Sequence, residues 1–129
     1  MGGLALYAAY LIVALLLVGV GLVVYSFVTP YNELRLIREG NNAAACSLSG
    51  TAIGFALAVA SATAHSVGLL DLVMWGVIGL VSQLVVFFAV SALLPGLRQG
   101  IETGKTSYGL LLGGSSIAMG ILNAGSLTT

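Results

Sequence analysis

Few side chains in this sequence have the chemistry for a reaction or a binding site. His65 and Asp71 bracket a short segment between two apolar stretches, where an imidazole and a carboxylate together could hold a proton or weakly bind a cation. We favour the simpler interpretation that Asp71 caps the helix that follows it and that His65 reaches to water. With one histidine and one cysteine, Cys46, the chain lacks the usual ligands of a metal cluster, so we expect no metal and no cofactor.

The apolar stretches contain a few amides and hydroxyls. Gln83 is the deepest strongly polar side chain, and we favour a hydrogen bond from it to a neighbouring helix over a role in transport. Hydroxyls usually bond a backbone carbonyl one turn back, but they could also line a narrow path between facing helices. No nucleophile, acid and base stand together, so we expect no enzyme. The candidate path residues are Ser49, Thr51, Gln83, Ser115 and Asn123.

Composition indicates a membrane protein. The chain has 129 residues, of which 59% are hydrophobic and 6% are charged, whereas an ordinary soluble domain carries about 25% charged residues. Its formal net charge of zero gives no reason to expect binding to nucleic acid. A membrane span needs about 20 apolar residues. Four stretches meet that need, and the predicted spans are residues 4–28, 43–64, 72–94 and 107–127.

The basic residues predict an orientation. Arg35 and Arg38 lie between spans one and two, and Arg98 and Lys105 lie between spans three and four. The positive-inside rule therefore places both connections in the cytoplasm and both termini outside. These four side chains are the expected contacts to lipid or to a cytoplasmic partner.

Aromatic residues near the ends of the spans suggest a belt at each membrane interface, and the alternative is that they are simply scattered. They are Tyr7, Tyr10 and Trp75 near the outer ends and Tyr25, Tyr31 and Tyr108 near the inner ends. Tyr25 and Tyr31 fall where the first span meets the cytoplasmic connection. Because a tyrosine has an apolar body and a polar tip, we expect both side chains at the membrane interface.

The two halves of the chain resemble each other at an offset of 64 residues. Overlaying residues 37–62 on residues 101–126 matches Ile37 with Ile101 and Gly50 with Gly114, and exchanges many small residues for other small ones. We therefore predict an all-α protein of two tandem helical hairpins in parallel orientation. Repeat one covers residues 1–65 and repeat two covers residues 66–129.

Spans two and four are rich in small residues on two nearly opposite faces, since an offset of two residues turns a helix by about 200°. Small side chains allow the close backbone approach that holds membrane helices together. We therefore predict that spans two and four are inner helices, that spans one and three face lipid, and that the chain forms a homo-oligomer. The alternative is that Gly and Ala are simply common in membrane helices. The predicted packing residues are Gly50, Gly54, Gly114, Ala118, Ser116 and Gly120.

Several segments of the sequence together form a recognisable pattern. They are "TPYNELRLIREGNNAAACSLSGTAIGFAL", Asp71, the pair Trp75–Gly76, Gln83 and the closing "GILNA". This pattern resembles the YjfL-like bacterial inner-membrane family, catalogued as domain of unknown function 350. The resemblance implies a small four-helix inner-membrane protein built from a duplicated hairpin, without an established activity. The association of family members with membrane-stress coat proteins of the phage-shock type implies a membrane anchor or assembly platform with such a cytoplasmic partner.

Two functions are consistent with these observations. The leading hypothesis is a non-enzymatic, homo-oligomeric platform that recruits a cytoplasmic partner through its basic connections. The alternative is a small oligomeric channel or transporter lined by Ser and Thr hydroxyls and by Gln83.

The orientation can be tested with single cysteines in a Cys46→Ala background. A cysteine at Val67 should react with an impermeant thiol reagent added outside the cell, and one at Asn41 should not, because the basic connections are expected inside. Labelling is measured on intact cells and again after permeabilisation, when both sites should react. Labelling of Asn41 alone on intact cells would reverse the orientation.

Overall fold

The computed structural model describes residues 2–65 and 67–127, and helices make up most of them. Four of these helices are long and apolar enough to cross a membrane, which confirms the predicted all-α membrane fold and its four spans. The predicted repeat limits at residues 1, 66 and 129 lie outside the described residues. In chain order the helices are α1 (Gly2–Val28), α2 (Glu33–Arg38), α3 (Asn42–His65), α4 (Leu69–Leu93), α5 (Leu97–Glu102) and α6 (Thr106–Leu127).

The short helices α2 and α5 lie at the same end of the bundle, which we call the loop end. The Asn41 side chain joins the two connections, because its Nδ2 donates a hydrogen bond to the carbonyl of Ile101 at 2.7 Å. Its Oδ1 accepts from the backbone N–H of Ala44 at 3.0 Å and so caps the start of α3. The opposite end, which carries the turn between α3 and α4, is called the terminal end.

Both short helices end in the same kind of turn. Gly40 has φ +87° and Gly104 has φ +80°, a left-handed conformation that glycine adopts without steric cost. The Gly40 N–H donates to the carbonyl of Ile37 at 2.9 Å, and the Gly104 N–H donates to that of Ile101 at 3.0 Å. Each glycine therefore stops its short helix and turns the chain into the next span.

Helix α3 lies at the centre of the bundle and contacts α1, α4 and α6. In the most apolar window of each span, 50% of the α3 residues are buried, compared with 11% of those of α1. Phe55 of α3 packs with Leu72 of α4 and against Val13 and Leu17 of α1, near the terminal end. The exposed face of α1 carries Leu and Val side chains, which suit contact with lipid tails.

The contact between α3 and α6 is the closest in the molecule. A Cβ added at Gly50 would collide with the backbone of Gly113, and one added at Gly120 would collide with the backbone of Gly54. A Cβ at Gly54 would in turn collide with the carbonyl of Ser116. The two backbones therefore touch directly, and every one of these glycines is needed for the approach.

The prediction that α6 is an inner helix like α3 does not hold within one chain. In the most apolar segment of α6, 28% of the residues are buried, compared with 33% in the corresponding segment of α4. Gly114 and Ala118, which were predicted to pack, are both exposed, and a Cβ at Gly114 would meet no atom within 4 Å. Gly113 makes the contact instead. The physical reason is that α6 has α3 and α4 on one side of it, so its opposite face has no long helix of the chain as a neighbour.

Adding one methyl group should be far more destabilising at a glycine in the α3–α6 contact than at a glycine on an exposed helix face. We expect Gly54→Ala to destabilise the protein by about 3 kcal/mol, because backbone atoms of α6 would have to move to admit it. Gly19→Ala on the exposed face of α1 is the matched control, since a Cβ there meets nothing within 4 Å. Loss of helicity on titration with a denaturing detergent measures both, and a Gly54→Ala variant as stable as the control would contradict direct backbone contact.

Candidate functional site

The first turn of α2 places a carboxylate inside the protein. The Asn32 side chain caps this helix by accepting the backbone N–H of Arg35 at 3.1 Å, which fixes the direction in which α2 leaves Pro30. Glu33, the first residue of the helix, is 1% exposed. Leu36 is the other buried residue of this helix, and Leu34 is exposed.

Glu33 is held by one short hydrogen bond. The Thr29 hydroxyl donates to its Oε1 at 2.8 Å, while its Oε2 makes no hydrogen bond within residues 2–65 and 67–127. Burial raises the pKa of Glu33 to about 7, and the bond from Thr29 opposes that rise only in part. The carboxyl group can therefore gain or lose a proton near neutral pH.

Two tyrosines lie next to this carboxyl group in the interior. Tyr25 is 0% exposed and Tyr31 is 4% exposed, so the prediction that they form an aromatic belt is wrong. Both rings pack against Phe87 of α4, with ring centroids 6.1 Å and 6.3 Å from it. The hydroxyl of Tyr31 lies beside Ser47 and that of Tyr25 lies beside Thr51.

Polar side chains continue from there toward the middle of the bundle. The Thr51 hydroxyl donates to the Ser116 Oγ at 3.3 Å, and Nε2 of Gln83 donates to the Ser116 carbonyl at 3.1 Å. The hydrogen bond favoured for Gln83 is thus made to α6. Helices α1, α2, α3, α4 and α6, together with the α1–α2 connection, contribute to this buried group, which we call the polar column. Its members are Tyr25, Thr29, Tyr31, Glu33, Ser47, Thr51, Gln83 and Ser116.

The polar column is buried but only partly hydrogen-bonded. Within the described part of the chain, five of its side-chain atoms lack a hydrogen bond of good geometry. Buried polar atoms are normally paired, so such a group is a candidate for binding a proton or a small polar molecule. The described residues contain no group of three or more His, Cys, Asp or Glu side chains that could hold a metal. The five atoms are Tyr25 Oη, Tyr31 Oη, Glu33 Oε2, Ser47 Oγ and Gln83 Oε1.

The residues of the predicted path do not form one lining. Thr51 and Gln83 belong to the polar column, but Ser49 is exposed and Ser115 is half-buried. Asn123 lies near the terminal end in a separate pocket of about 220 Å³, which Trp75 and Gly79 also line. The predicted path therefore consists of two buried members and three that lie elsewhere.

His65 and Asp71 each bond to nearby backbone at the terminal end. The His65 ring lies 2.9 Å from the carbonyl of Ser61, and the Asp71 carboxylate accepts the N–H of Val67 at 3.2 Å. His65 thus bonds to backbone in the last turn of α3, and Asp71 bonds to the backbone just before α4.

All four basic side chains are exposed at the loop end. Arg98 pairs with Glu102 at 3.3 Å, and the Lys105 ammonium group lies 5.5 Å from the centre of the Tyr108 ring. Arg35 and Arg38 project from α2, on the connection that Asn41 ties to α5. All four cations thus lie on the two connections that meet at the loop end.

Sequence reasoning missed Glu33 and the two tyrosines as members of a buried site. It searched the apolar spans for ionisable groups, and Glu33 lies outside them. The available signal was local: Thr29 stands four residues before Glu33 and Asn32 directly precedes it, so a hydroxyl and a helix cap lie close to the acid.

Comparison with known proteins identifies the family. Residues 1–127 match the family described as Domain of Unknown Function (DUF350). The chain belongs to the DUF350 family. It is 37% identical over 122 residues to the UPF0719 inner membrane protein YjfL of Escherichia coli K12, covering 95% of this chain and 92% of that protein. It is 32% identical over 106 residues to the UPF0719 transmembrane protein YshE of Bacillus subtilis 168, covering 81% and 79%.

These matches agree with the fold of the DUF350 chain. The family names and the four apolar helices together identify a multi-pass inner-membrane protein, and the predicted resemblance is confirmed. The family is of unknown function, and the names of its members state no enzymatic activity. No solved structure gives a significant match.

The buried carboxyl group makes the stability of this DUF350 protein depend on pH. Because the folded protein holds the pKa of Glu33 at about 7, above its ordinary 4.5, folding favours the neutral acid. Stability should be highest below pH 4.5 and should fall as the pH rises to about 7. The shift corresponds to roughly 3 kcal/mol.

Glu33→Gln tests this expectation, since the amide cannot ionise. The melting temperature of the wild type in detergent should fall as the pH rises from 4.5 to 8. In Glu33→Gln the part of this fall that comes from ionisation of Glu33 should be absent. Glu39→Gln, an exposed acid one residue beyond α2, is the control and should keep the wild-type profile. Parallel profiles for the wild type and Glu33→Gln would show that Glu33 is ionised throughout.

Proposed function

We propose that this DUF350 protein is a homo-oligomeric structural platform in the inner membrane that recruits a cytoplasmic partner through its basic loop end. The observation that carries the proposal is the hydrogen bond from Asn41 to Ile101, which joins the two connections into one surface. Arg35, Arg38 and Arg98 are exposed on that surface, as is Lys105. These four cations outnumber the solvent-accessible acids Glu39 and Glu102 of the same connections, and such an excess suits acidic lipid headgroups or an acidic partner protein.

The proposal includes the orientation of the chain. All the Lys and Arg residues of the sequence belong to the two connections at the loop end. The positive-inside rule favours the cytoplasm for that end and the outside for both termini. A partner in the cytoplasm would then meet the basic surface directly, and a membrane-stress-type coat protein is the partner that the family resemblance suggests.

The proposal also includes a tandem repeat of two parallel hairpins, residues 1–65 and 66–129. Supporting it, α2 and α5 begin at equivalent positions, since Glu33 and Leu97 are 64 residues apart. Helices α3 and α6 likewise begin at Asn42 and Thr106, which are 64 residues apart. The matching left-handed glycines after both short helices add a conformational correspondence to the weak sequence similarity.

A small channel or transporter is the second candidate, and the polar column is the observation that favours it. The column begins at Glu33 and reaches Ser116, ten residues into α6, which is roughly 15 Å along that helix and about half a hydrocarbon core. Beyond it, Phe55, Val59 and Leu72 form an apolar cluster toward the terminal end. A path that ends halfway offers no continuous route across the membrane, which ranks this function second.

Neutralising the basic surface tests the platform. For the double variant Arg35→Gln and Arg38→Gln in lipid nanodiscs, we expect binding of acidic cytosolic proteins to weaken about 30-fold, because each cation near such a surface contributes about 1 kcal/mol. Glu39→Gln is the control and should not weaken it. Binding is measured by quantitative mass spectrometry of the retained proteins and then by titration of those that are enriched.

Two results would overturn the ranking. Equal retention by the double variant and the wild type would remove the basic surface from the function. A robust ion-selective flux in liposomes that Gln83→Ala abolishes would make the channel the better assignment.

A further inference from the structure

The contact between α3 and α6 joins faces that are not equivalent in the repeat. Residue n of α3 corresponds to residue n + 64 of α6, so a contact between equivalent faces would set Gly50 against Gly114. The chain sets Gly50 against Gly113 instead, and Gly54 against Gly120. On α6, the residues equivalent to the contact face of α3 therefore lie outside the contact. On α3, the residues equivalent to the contact face of α6 also lie outside it.

The α6 residues that are equivalent to the contact face of α3 are exposed. Gly114 lies in open space, where a Cβ would meet nothing within 4 Å, although its equivalent Gly50 is buried against backbone. We call this surface the α6 free face. It consists of Ser107, Leu110, Gly114 and Ala118, the equivalents of Ala43, Cys46, Gly50 and Gly54.

On α3 the equivalent of the face used by α6 is exposed or half-buried. We call this surface the α3 free face, and small residues make up all of it. It consists of Ala45, Ser49, Ala52, Ala56 and Ala60, the equivalents of Gly109, Gly113, Ser116, Gly120 and Ala124.

A groove of suitable position borders the α3 free face. Within the chain, α3 contacts both α4 and α6. In the first repeat, α1 is the equivalent of α4 and α3 is the equivalent of α6. An open groove of about 670 Å³ lies between α1 and α3. Ala14 of α1 and Ala56 and Ala60 of α3 are among its lining residues. The second repeat fills its corresponding groove with α3, while the first repeat leaves its own open.

We infer that the α6 free face of one copy packs into this groove, against the α3 free face of the next copy, and so repeats between copies the contact that each chain makes internally. The occupant is a second copy of the same chain, because its α6 carries the equivalent of the face that the internal contact uses. The inference rests on the tandem repeat and the homo-oligomer of the proposed function, and it specifies the surfaces that join the copies.

The symmetry of such a contact allows the copies to form a ring. The two faces differ, so the contact is heterologous and can add copies one after another. Copies in one membrane share its normal, so successive copies are related by a rotation about that direction, and the ring closes when a whole number of copies completes one turn. Helices α3 and α6 then alternate around the axis, with α1 and α4 outside.

The ring has an apolar centre. Ile53 of α3 is 50% exposed and lies about 160° around the helix from Phe55, which packs against α1. Ile53 and its equivalent Ile117 therefore point toward the axis. An apolar centre filled by side chains or lipid tails agrees with a platform and gives no device for selecting ions.

The contact between copies is wider than the internal one. Ser49 and Ala118 stand where the internal contact has Gly113 and Gly54, and each adds a Cβ between the backbones. Wider contact gives weaker packing. Copies should therefore separate in detergent before the α3–α6 pair of each chain comes apart.

Cysteine pairs test the inference directly. In a Cys46→Ala background, the double variant Ser49→Cys and Gly114→Cys should form a ladder of disulfide-linked multimers when the membranes are oxidised. Either single variant should stay uncross-linked, and a co-expressed mixture of the two single variants should stop at dimers. The matched control is Val20→Cys with Gly114→Cys, because Val20 is exposed on α1 at a similar depth but does not line the groove; it should give no ladder.

Filling the free face gives a second test that does not depend on oxidation. Gly114→Leu meets open space within the chain, so each copy should keep its helicity and melting behaviour. Mass photometry in nanodiscs should show at least a tenfold loss of the assembled species relative to Gly114→Ala. Unchanged assembly of a folded Gly114→Leu protein would overturn the inference.

The remaining outcomes separate this interface from the platform itself. Dimers of Gly114→Cys alone would indicate a twofold α6–α6 contact and overturn the ring. Assembly of the wild type without any cross-link between positions 49 and 114 would also overturn it, while a homo-oligomer would stand. Loss of recruitment in the Arg35→Gln and Arg38→Gln variant is independent of either result and concerns the proposed function alone.

Discussion

The direct contact between the backbones of α3 and α6 is the constraint on which the rest of the structure depends. Apolar side chains gain nothing from meeting each other when lipid tails are equally apolar, so close approach must hold the helices together. Gly50 against Gly113 and Gly54 against Gly120 supply that approach. It sets the two connections beside each other, so that Asn41 can reach Ile101. A larger residue at any of these glycines would push the two backbones apart.

The same close approach creates the polar column. With the backbones in contact, Thr51 and Ser116 meet in the interior, and Gln83 can reach the Ser116 carbonyl. Desolvating a carboxyl group there is costly, and the neutral form of Glu33 at pH values below about 7 lowers that cost. The column thus joins a titratable group beside the basic surface to the contact at the centre of the bundle.

The sequence predicts the spans well because hydropathy and length alone decide them, and Asn42–His65 differs from the predicted 43–64 by one residue at each end. It cannot choose between Gly113 and Gly114, since the choice is a rotation of α6 by about 100° that three-dimensional packing sets. It also cannot tell that Tyr25 points inward, because a tyrosine near the end of a span can face either the membrane interface or the protein interior.

The basic surface of one copy is modest, and that bears on why assembly matters. Among the described residues, 2–65 and 67–127, Arg98 is paired with Glu102 and Lys105 lies near Tyr108, so Arg35 and Arg38 are the cations with no such engagement. Two exposed cations bind an acidic surface weakly, and salt screens them further. The proposed ring would repeat the surface once per copy at fixed spacing, and a partner that engages several copies would gain affinity without any new contact. In that proposal the small residues on α3 and α6 set how many weak sites stand side by side at the loop end.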